Sequence, residues 1–271
     1  MQLIEKSQNV KIVTLYSGSG GNAVYLRIND LELLIDAGKS TRALERALVS
    51  AGSSLSNIDA IFITHEHRDH TGALEVLSKK YSIPVHMTEG SAQTLLNRSC
   101  ALENNIFTHE SKFSVSFGEI CVRSFLTPHD SVMSVGYTID FEEKGKCRRF
   151  GIATDMGYIT EEVRDSLLGC HYVIIESNHD IAMLQNGGYP SFLKRRILSE
   201  RGHLSNVECA EFLPELVASG TQKILLAHLS KENNRPDIAY ECCRRSLLSH
   251  YSEQCFDLRV ADSDNLTVLC G

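Results

Sequence analysis

The sequence predicts an αββα sandwich, two sheets face to face with helices on each outer surface. Three observations carry that expectation. Helical segments occur in both halves of the chain, outside strand-rich blocks, a pattern that such a sandwich accommodates. Hydrophobic residues make up 42% of the chain and charged residues 23%, so it can bury enough apolar surface to fold unaided. At 271 residues it fits one large layered unit with no repeat, low-complexity tract or long linker, so a single domain over 1–271 is expected.

Apolar runs at Lys11 to Tyr16, Ala23 to Ile28 and Leu31 to Ile35 read as strands. The first two are separated by the glycine-rich SGSGGN and the last two by Asn29-Asp30, a hairpin signal. Helical spacing covers Thr41 to Ala51, a strand covers Asp59 to Ile63, and a helix runs from Asp69 to Lys80. Strands are expected at Pro84 to Met87, Phe113 to Ser116, Ile120 to Leu126, Val135 to Phe141 and Arg149 to Ala153. Beyond them, helices at Thr160 to Leu168, Ser191 to Ser199 and Ser205 to Ala218 alternate with strands Tyr172 to Glu176 and Lys223 to Ala227. Pro236 opens a last helix toward His250, and Leu266 to Leu269 is a final strand.

Met1 to Val10 lack the apolar stretch of a secretory signal, and no run approaches the roughly 18 apolar residues that cross a bilayer. A cytoplasmic protein without membrane contact is expected. The nine cysteines are scattered without CxxC spacing, and Cys242 and Cys243 are adjacent. They read mostly as small buried hydrophobes and not as a disulfide framework. A formal net charge of −7 argues against coating nucleic acid through charge alone, and divalent cations would offset part of it.

The segment richest in chemistry is Thr64-His65-Glu66-His67-Arg68-Asp69-His70, directly after the apolar Ile61-Phe62-Ile63 and directly before a helix. In extended chain His65 and His67 point to the same side, because side chains repeat every two residues. Asp69 and His70 start the helix, where the direction changes, so they can serve a second cation beside the first. Imidazole and carboxylate donors suit zinc and manganese. A polar loop with coincidental histidines is the competing account.

This segment resembles the HxHxDH signature of the metallo-β-lactamase superfamily, which implies two mixed sheets flanked by helices and a pair of divalent cations. The superfamily's other motifs follow in order, each after an apolar strand: Asp36 as an aspartate that orients a ligand, His129, Asp155 as a carboxylate that can bridge both cations, and His228. The implied ligands are His65, His67, Asp69, His70, His129, Asp155 and His228. Asp155 stands where zinc β-lactamases typically carry cysteine, and His67 where the flavodiiron branch carries glutamate, so neither chemistry is expected. The Asp155 to His228 interval has no room for the inserted domain of the branch that cuts pre-messenger ends.

Gly202-His203-Leu204-Ser205, a helix and then the fifth motif look like the transfer-RNA 3′-processing endonucleases, in which a glutamate helps a loop histidine act as proton donor. Glu176 occupies that glutamate's place, although Glu176-Ser177-Asn178-His179 replaces Glu-Ala-Thr. Over nearly the whole chain, SGSGGNAVYL, LLIDAG, THEHRDH, ATDMGY, ESNHDIAML, GYPSFLKRRILSERGHLSN and AHLSKENN resemble the YycJ/WalJ type of bacterial metallo-hydrolase. That resemblance implies a two-metal phosphodiesterase acting on DNA from a 5′ end.

Asp69, His203 and Glu176 are thus the candidate catalytic residues, an acid being needed at the leaving oxygen. Candidate substrate contacts are Asn22, in a turn whose free amides could meet a phosphate, His179, Lys194 and Arg196 of the basic run with Arg195 and Arg201, and Lys231 beside Asn233 and Asn234. A tight turn, a solvated helix face and a polar loop are the competing accounts. His86, His109, His171 and His250 are given no role. The expected function is a DNA exonuclease using zinc or manganese, with nucleic acid as partner and no protein partner named. The alternatives are a thioesterase or small-ester hydrolase of the glyoxalase II kind, for which the stretch after His228 is short, and a non-catalytic metal-binding module.

Overall fold

The computed structural model describes residues 10–99 and 105–271. The expectation about a secretory signal in Met1 to Val10 therefore falls almost wholly outside the described residues.

The strands are β1 (Val10–Tyr16), β2 (Ala23–Ile28), β3 (Leu31–Ile35), β4 (Ala60–Phe62), β5 (Val85–Thr88), β6 (Ile106–His109), β7 (Ser114–Phe117), β8 (Ile120–Leu126), β9 (Val135–Glu143), β10 (Lys146–Ala153), β11 (Tyr172–Glu176), β12 (Lys223–Ala227), β13 (Asp257–Val260) and β14 (Thr267–Cys270). They form two seven-stranded sheets, ordered β14-β1-β2-β3-β4-β5-β6 and β13-β12-β11-β10-β9-β8-β7. Both are mixed. Pairing is antiparallel from β14 to β3 and from β7 to β10, and parallel from β3 to β6 and from β10 to β13.

Alternation along the strands builds three apolar layers. Leu26, Leu33, Phe62, Tyr137, Ile139, Ile174 and Leu225 meet between the sheets. The opposite faces, with Tyr25, Leu34 and Ile61 in one sheet and Val173, Ile175 and Leu226 in the other, are covered by helices. Helices α1 (Thr41–Ser50), α3 (Leu74–Tyr81) and α4 (Glu89–Leu96) cover the first sheet, and α5 (Glu161–Leu167), α8 (Asn206–Ala218) and α9 (Pro236–Leu248) the second. Strands buried on both faces read as unbroken apolar runs, which is why β3, β4, β11 and β12 were legible. Helices α2 (Arg68–Thr71), α6 (Ile181–Asn186) and α7 (Ser191–Ile197) lie in the loops.

The predicted helix from Asp69 to Lys80 is in fact two, α2 and α3, broken at Gly72-Ala73. The carbonyls that would continue the first turn are taken elsewhere: Asn22 N–H donates to the Asp69 oxygen at 2.7 Å and Ala37 N–H to the His70 oxygen at 2.8 Å. This docking needs Gly38, where a Cβ would stand 1.6 Å from the Asp69 oxygen. The short elements α4, α6, β6 and β13 carry no clear apolar period and were not foreseen. Of the eight described cysteines, Cys170, Cys209, Cys243 and Cys270 are buried, half and not most of them; all eight are free.

The C-terminal ends of β3, β4, β8, β10 and β12 carry Asp36, His65, His129, Asp155 and His228 in the loops that follow, and Glu176 is the last residue of β11. At this edge the Tyr137 hydroxyl donates to the Ile63 carbonyl at 2.6 Å, tying the second sheet to the strand that delivers His65.

Candidate metal centre

Asp36, Asp155 and His228 each leave a strand with positive φ, 64°, 57° and 57°. Non-glycine residues in this region cost about 1–3 kcal/mol each, so the strain has to be held by the surroundings. At Asp36 the holding is visible. Its Oδ1 accepts from the Thr64 amide at 2.9 Å, and its Oδ2 lies 2.7 Å from His70 Nδ1.

The seven predicted ligands come together. His65, His67 and His129 bring one donor atom each within 4.8 Å of one another, and so do Asp69, His70 and His228. Asp155 stands between the two groups. Its Oδ1 is 3.8 Å from His129 Nε2 and 3.6 Å from His228 Nε2, and its Oδ2 is 3.4 Å from His70 Nε2. Outer contacts select which nitrogen faces inward: His70 Nδ1 meets Asp36, His228 Nδ1 lies 2.8 Å from Glu176 Oε1, and His129 Nδ1 donates to the Gly202 carbonyl at 3.1 Å. Partners of this kind fix the ring and the tautomer of a metal-binding histidine.

The charge balance of this cluster fits cations. Asp155 Oδ2 and His228 Nε2 are buried and have no hydrogen-bond partner among the described residues, a costly condition that a positive ion relieves. Burial opposes charge on Asp155, yet His228, His70 and His129 hold its carboxyl below the usual range. Burial also opposes charge on His228; Asp155 and the contacts to Asp69 and Glu176 outweigh it and push the imidazole up to about 10. His65 moves the other way, lowered by burial and by His70, His129 and His67. Protons thus stand between donors where divalent ions can replace them, since metal binding takes neutral imidazole and releases protons.

His203 reaches the cluster from the loop before α8, whose N-terminus is closed by a capping box of Ser205 and Glu208. Its Nδ1 lies 2.9 Å from Glu176 Oε1, the same oxygen that meets His228. The second oxygen of Glu176 accepts from the Met156 and Leu204 amides. Burial opposes its charge, and His203 and His228 hold it well below the usual carboxylate range.

The substrate candidates divide. Asn22 is buried, with its amide on Asp69, and the Gly18 and Gly21 amides are also engaged. Asn22 Nδ2 lies 3.0 Å from His70 Nε2. His179 is 1% exposed, its backbone bridged to Ser205 and both ring nitrogens without a hydrogen-bond partner among the described residues. Lys194 Nζ donates to the Gln185 carbonyl, and Lys231 pairs with Asp264. Arg201 Nε and Nη2 donate to the His129 and Ser131 carbonyls and hold that loop. Arg196 pairs with Asp130, whose Oδ1 lies 3.2 Å from His129 Nε2. A cleft of about 540 Å³ lined by His129, Val132, Tyr158 and Arg201 opens beside this ligand.

Sequence reasoning missed Glu66, Asn178 and Asn206, and read Asn234 as substrate-facing or polar loop. Buried Glu66 accepts from the Ser91 hydroxyl and the Val132 amide, pinning the loop after His129. Asn178 Nδ2 donates to the His228 carbonyl at 2.8 Å, and the Asn234 amide bridges Asn178 and Asn206. The one signal was amides crowded beside motif residues, and these read as polar loop.

The Beta-lactamase superfamily domain family matches residues 32–228. An exodeoxyribonuclease YycJ of Bacillus anthracis is 36% identical over 230 residues, covering 83% of this chain and 84% of the relative. An exodeoxyribonuclease WalJ of Streptococcus pneumoniae serotype 2 is 36% identical over 235 residues, 85% of each chain. Among solved structures, human tRNase Z, short form, matches with a TM-score of 0.66 at 18% identity over 96% of this chain and 99% of its own. The metallo-β-lactamase fold protein YhfI of Bacillus subtilis matches with 0.67 at 15% over 96% and 100%. At those identities the structures speak to the fold.

Proposed function

This chain belongs to the β-lactamase superfamily, with the YycJ and WalJ exodeoxyribonucleases, and is a metal-dependent hydrolase; we propose that it is a two-metal phosphodiesterase degrading DNA from a 5′ end. The observation that carries the reading is the pair of donor groups with Asp155 between them, its Oδ2 and His228 Nε2 buried without hydrogen-bond partners among the described residues. The names of the relatives support DNA and exonuclease action; the 5′ polarity rests on resemblance to that group.

In this reading His65, His67 and His129 hold one divalent cation, Asp69, His70 and His228 the other, and Asp155 both; zinc and manganese suit these donors. When bound, such a pair supplies Lewis acidity at the phosphoryl oxygen and an attacking water of lowered pKa. His203, the most open imidazole of the Glu176 pair at 18% side-chain exposure, gives a proton to the departing oxygen as the P–O bond breaks. Glu176 is a positioning residue, setting His203 and His228 at once. The 271 residues act as one domain in the cytoplasm; no described helix is long and apolar enough to cross a membrane.

The test is metal analysis of purified protein coupled to digestion of DNA labelled at either end. Stepwise release from the 5′ end with two bound equivalents is expected. Two equivalents without cleavage of any phosphodiester, or turnover of a thioester in its place, would overturn the reading.

A further inference from the structure

We propose that Phe192 is a stacking platform for a nucleobase of a single-stranded DNA end, with Arg196 as the phosphate contact beside it. The proposal rests on the phosphodiesterase reading above and names how that site grips its substrate.

Phe192 is 68% exposed, the highest value among the described large apolar side chains that stand in solvent. It shares α7 with Arg196 four residues on, so the two side chains lie on one face with Cβ atoms about 5–6 Å apart. Arg196 is fixed at the lip of the ligand cluster, where its Nε donates to Asp130 beside His129. Its terminal nitrogens have no partner among the described residues, and its side chain is 52% exposed.

The platform is anchored from behind. Ile197 is buried, and its carbonyl accepts from the His203 amide at 3.0 Å, so α7 and the loop of the proposed proton donor move as one piece. Gly202 permits that approach, since a Cβ there would stand 2.1 Å from the Ile197 oxygen.

An aromatic face beside Lys194, Arg195 and Arg196 combines the two elements by which proteins hold single strands, stacking on bases and cations along phosphates. The same charges repel a second copy of this helix, which favours a polyanion as the occupant.

The experiment measures strand binding by fluorescence anisotropy, and KM, for manganese-loaded wild type, Phe192→Ala, Phe192→Leu and Phe192→Trp. The strands are an intact oligonucleotide and a series with one abasic position stepped through the terminal nucleotides. Loss of the aromatic face in either Ala or Leu is expected to weaken the intact strand about 10-fold, with Trp restoring it. At one position the abasic strand loses as much in wild type, and the two losses do not add.

Additive losses at every position would overturn the platform while leaving the phosphodiesterase reading intact. So would a Phe192→Ala protein that changes oligomeric state at unchanged strand affinity. Wild type that neither binds nor cleaves DNA would remove both readings together.

Discussion

Nδ1 of His228 lies 2.8 Å from Oε1 of Glu176, and the same oxygen lies 2.9 Å from Nδ1 of His203. A single carboxylate oxygen therefore sets the ring of a proposed cation ligand and the ring of the proposed proton donor. Glu176→Gln keeps the shape and removes the charge. Metal affinity at the His228 group and turnover should each fall about 10–100-fold, the usual cost of losing such a partner. Calorimetric titration of metal-free protein with manganese, alongside turnover on DNA, checks this; two equivalents bound as tightly as in wild type would refute it.

His203 brings a donor atom within 4.8 Å of Asp155, Glu176 and His228, and in the proposed reading its loss should act on protonation. His203→Ala should slow cleavage of ordinary phosphodiesters about 10²–10⁴-fold, and slow an activated p-nitrophenyl ester far less. Equal losses on both substrates would assign it to binding instead.

Asp155 carries the contacts that link the two donor groups, so cation binding and folding are coupled there. Each cation at a hundred times its dissociation constant adds about 2.7 kcal/mol, roughly 5–10 °C in Tm for a chain of this size, and the pair about twice that. A chelator should lower Tm by that amount and manganese should restore it. In Asp155→Ala the restoration should shrink and hydrolysis should vanish, with circular dichroism unchanged; a full thermal response in that variant would contradict the bridging role.

Away from the centre, His86 is stacked between Phe62 and Phe107, with ring centroids 4.9 and 5.1 Å away, and its Nδ1 lies 3.0 Å from His109 Nε2. Burial, then the charge of His109, pushes His86 down to about 4. The unfolded chain takes up this proton near about 6.5. Between these values the unfolded state binds more protons, so stability is lost as pH falls through the window. His86→Phe keeps the stack and removes the titration. Its Tm should drop less than that of wild type between pH 6.5 and 4, and equal drops would show that His86 is not responsible.

The legibility of the site follows from locality. THEHRDH packs four donors into one turn, and the remaining ligands each end an apolar run, so both the pattern and the strand-end geometry lie within a few residues. The partners of Arg201, Lys194 and Lys231 were not legible because an exposed cation's partner is chosen by tertiary contact: the carbonyls and carboxylates they meet are up to 72 residues away in sequence. The break in the helix after His70 was hidden for the same reason, since the amides that claim its carbonyls come from Asn22 and Ala37. Glu66 stands inside the most conspicuous motif and went unread, because its work is to hold the loop after His129.

Backbone at Asp36, Asp155 and His228 is held where glycine would rest at ease. At Asp155 and His228 glycine would relax this strain at the cost of two donor atoms, whereas at Asp36 it would also strand the Thr64 amide and His70 Nδ1 that the carboxylate satisfies.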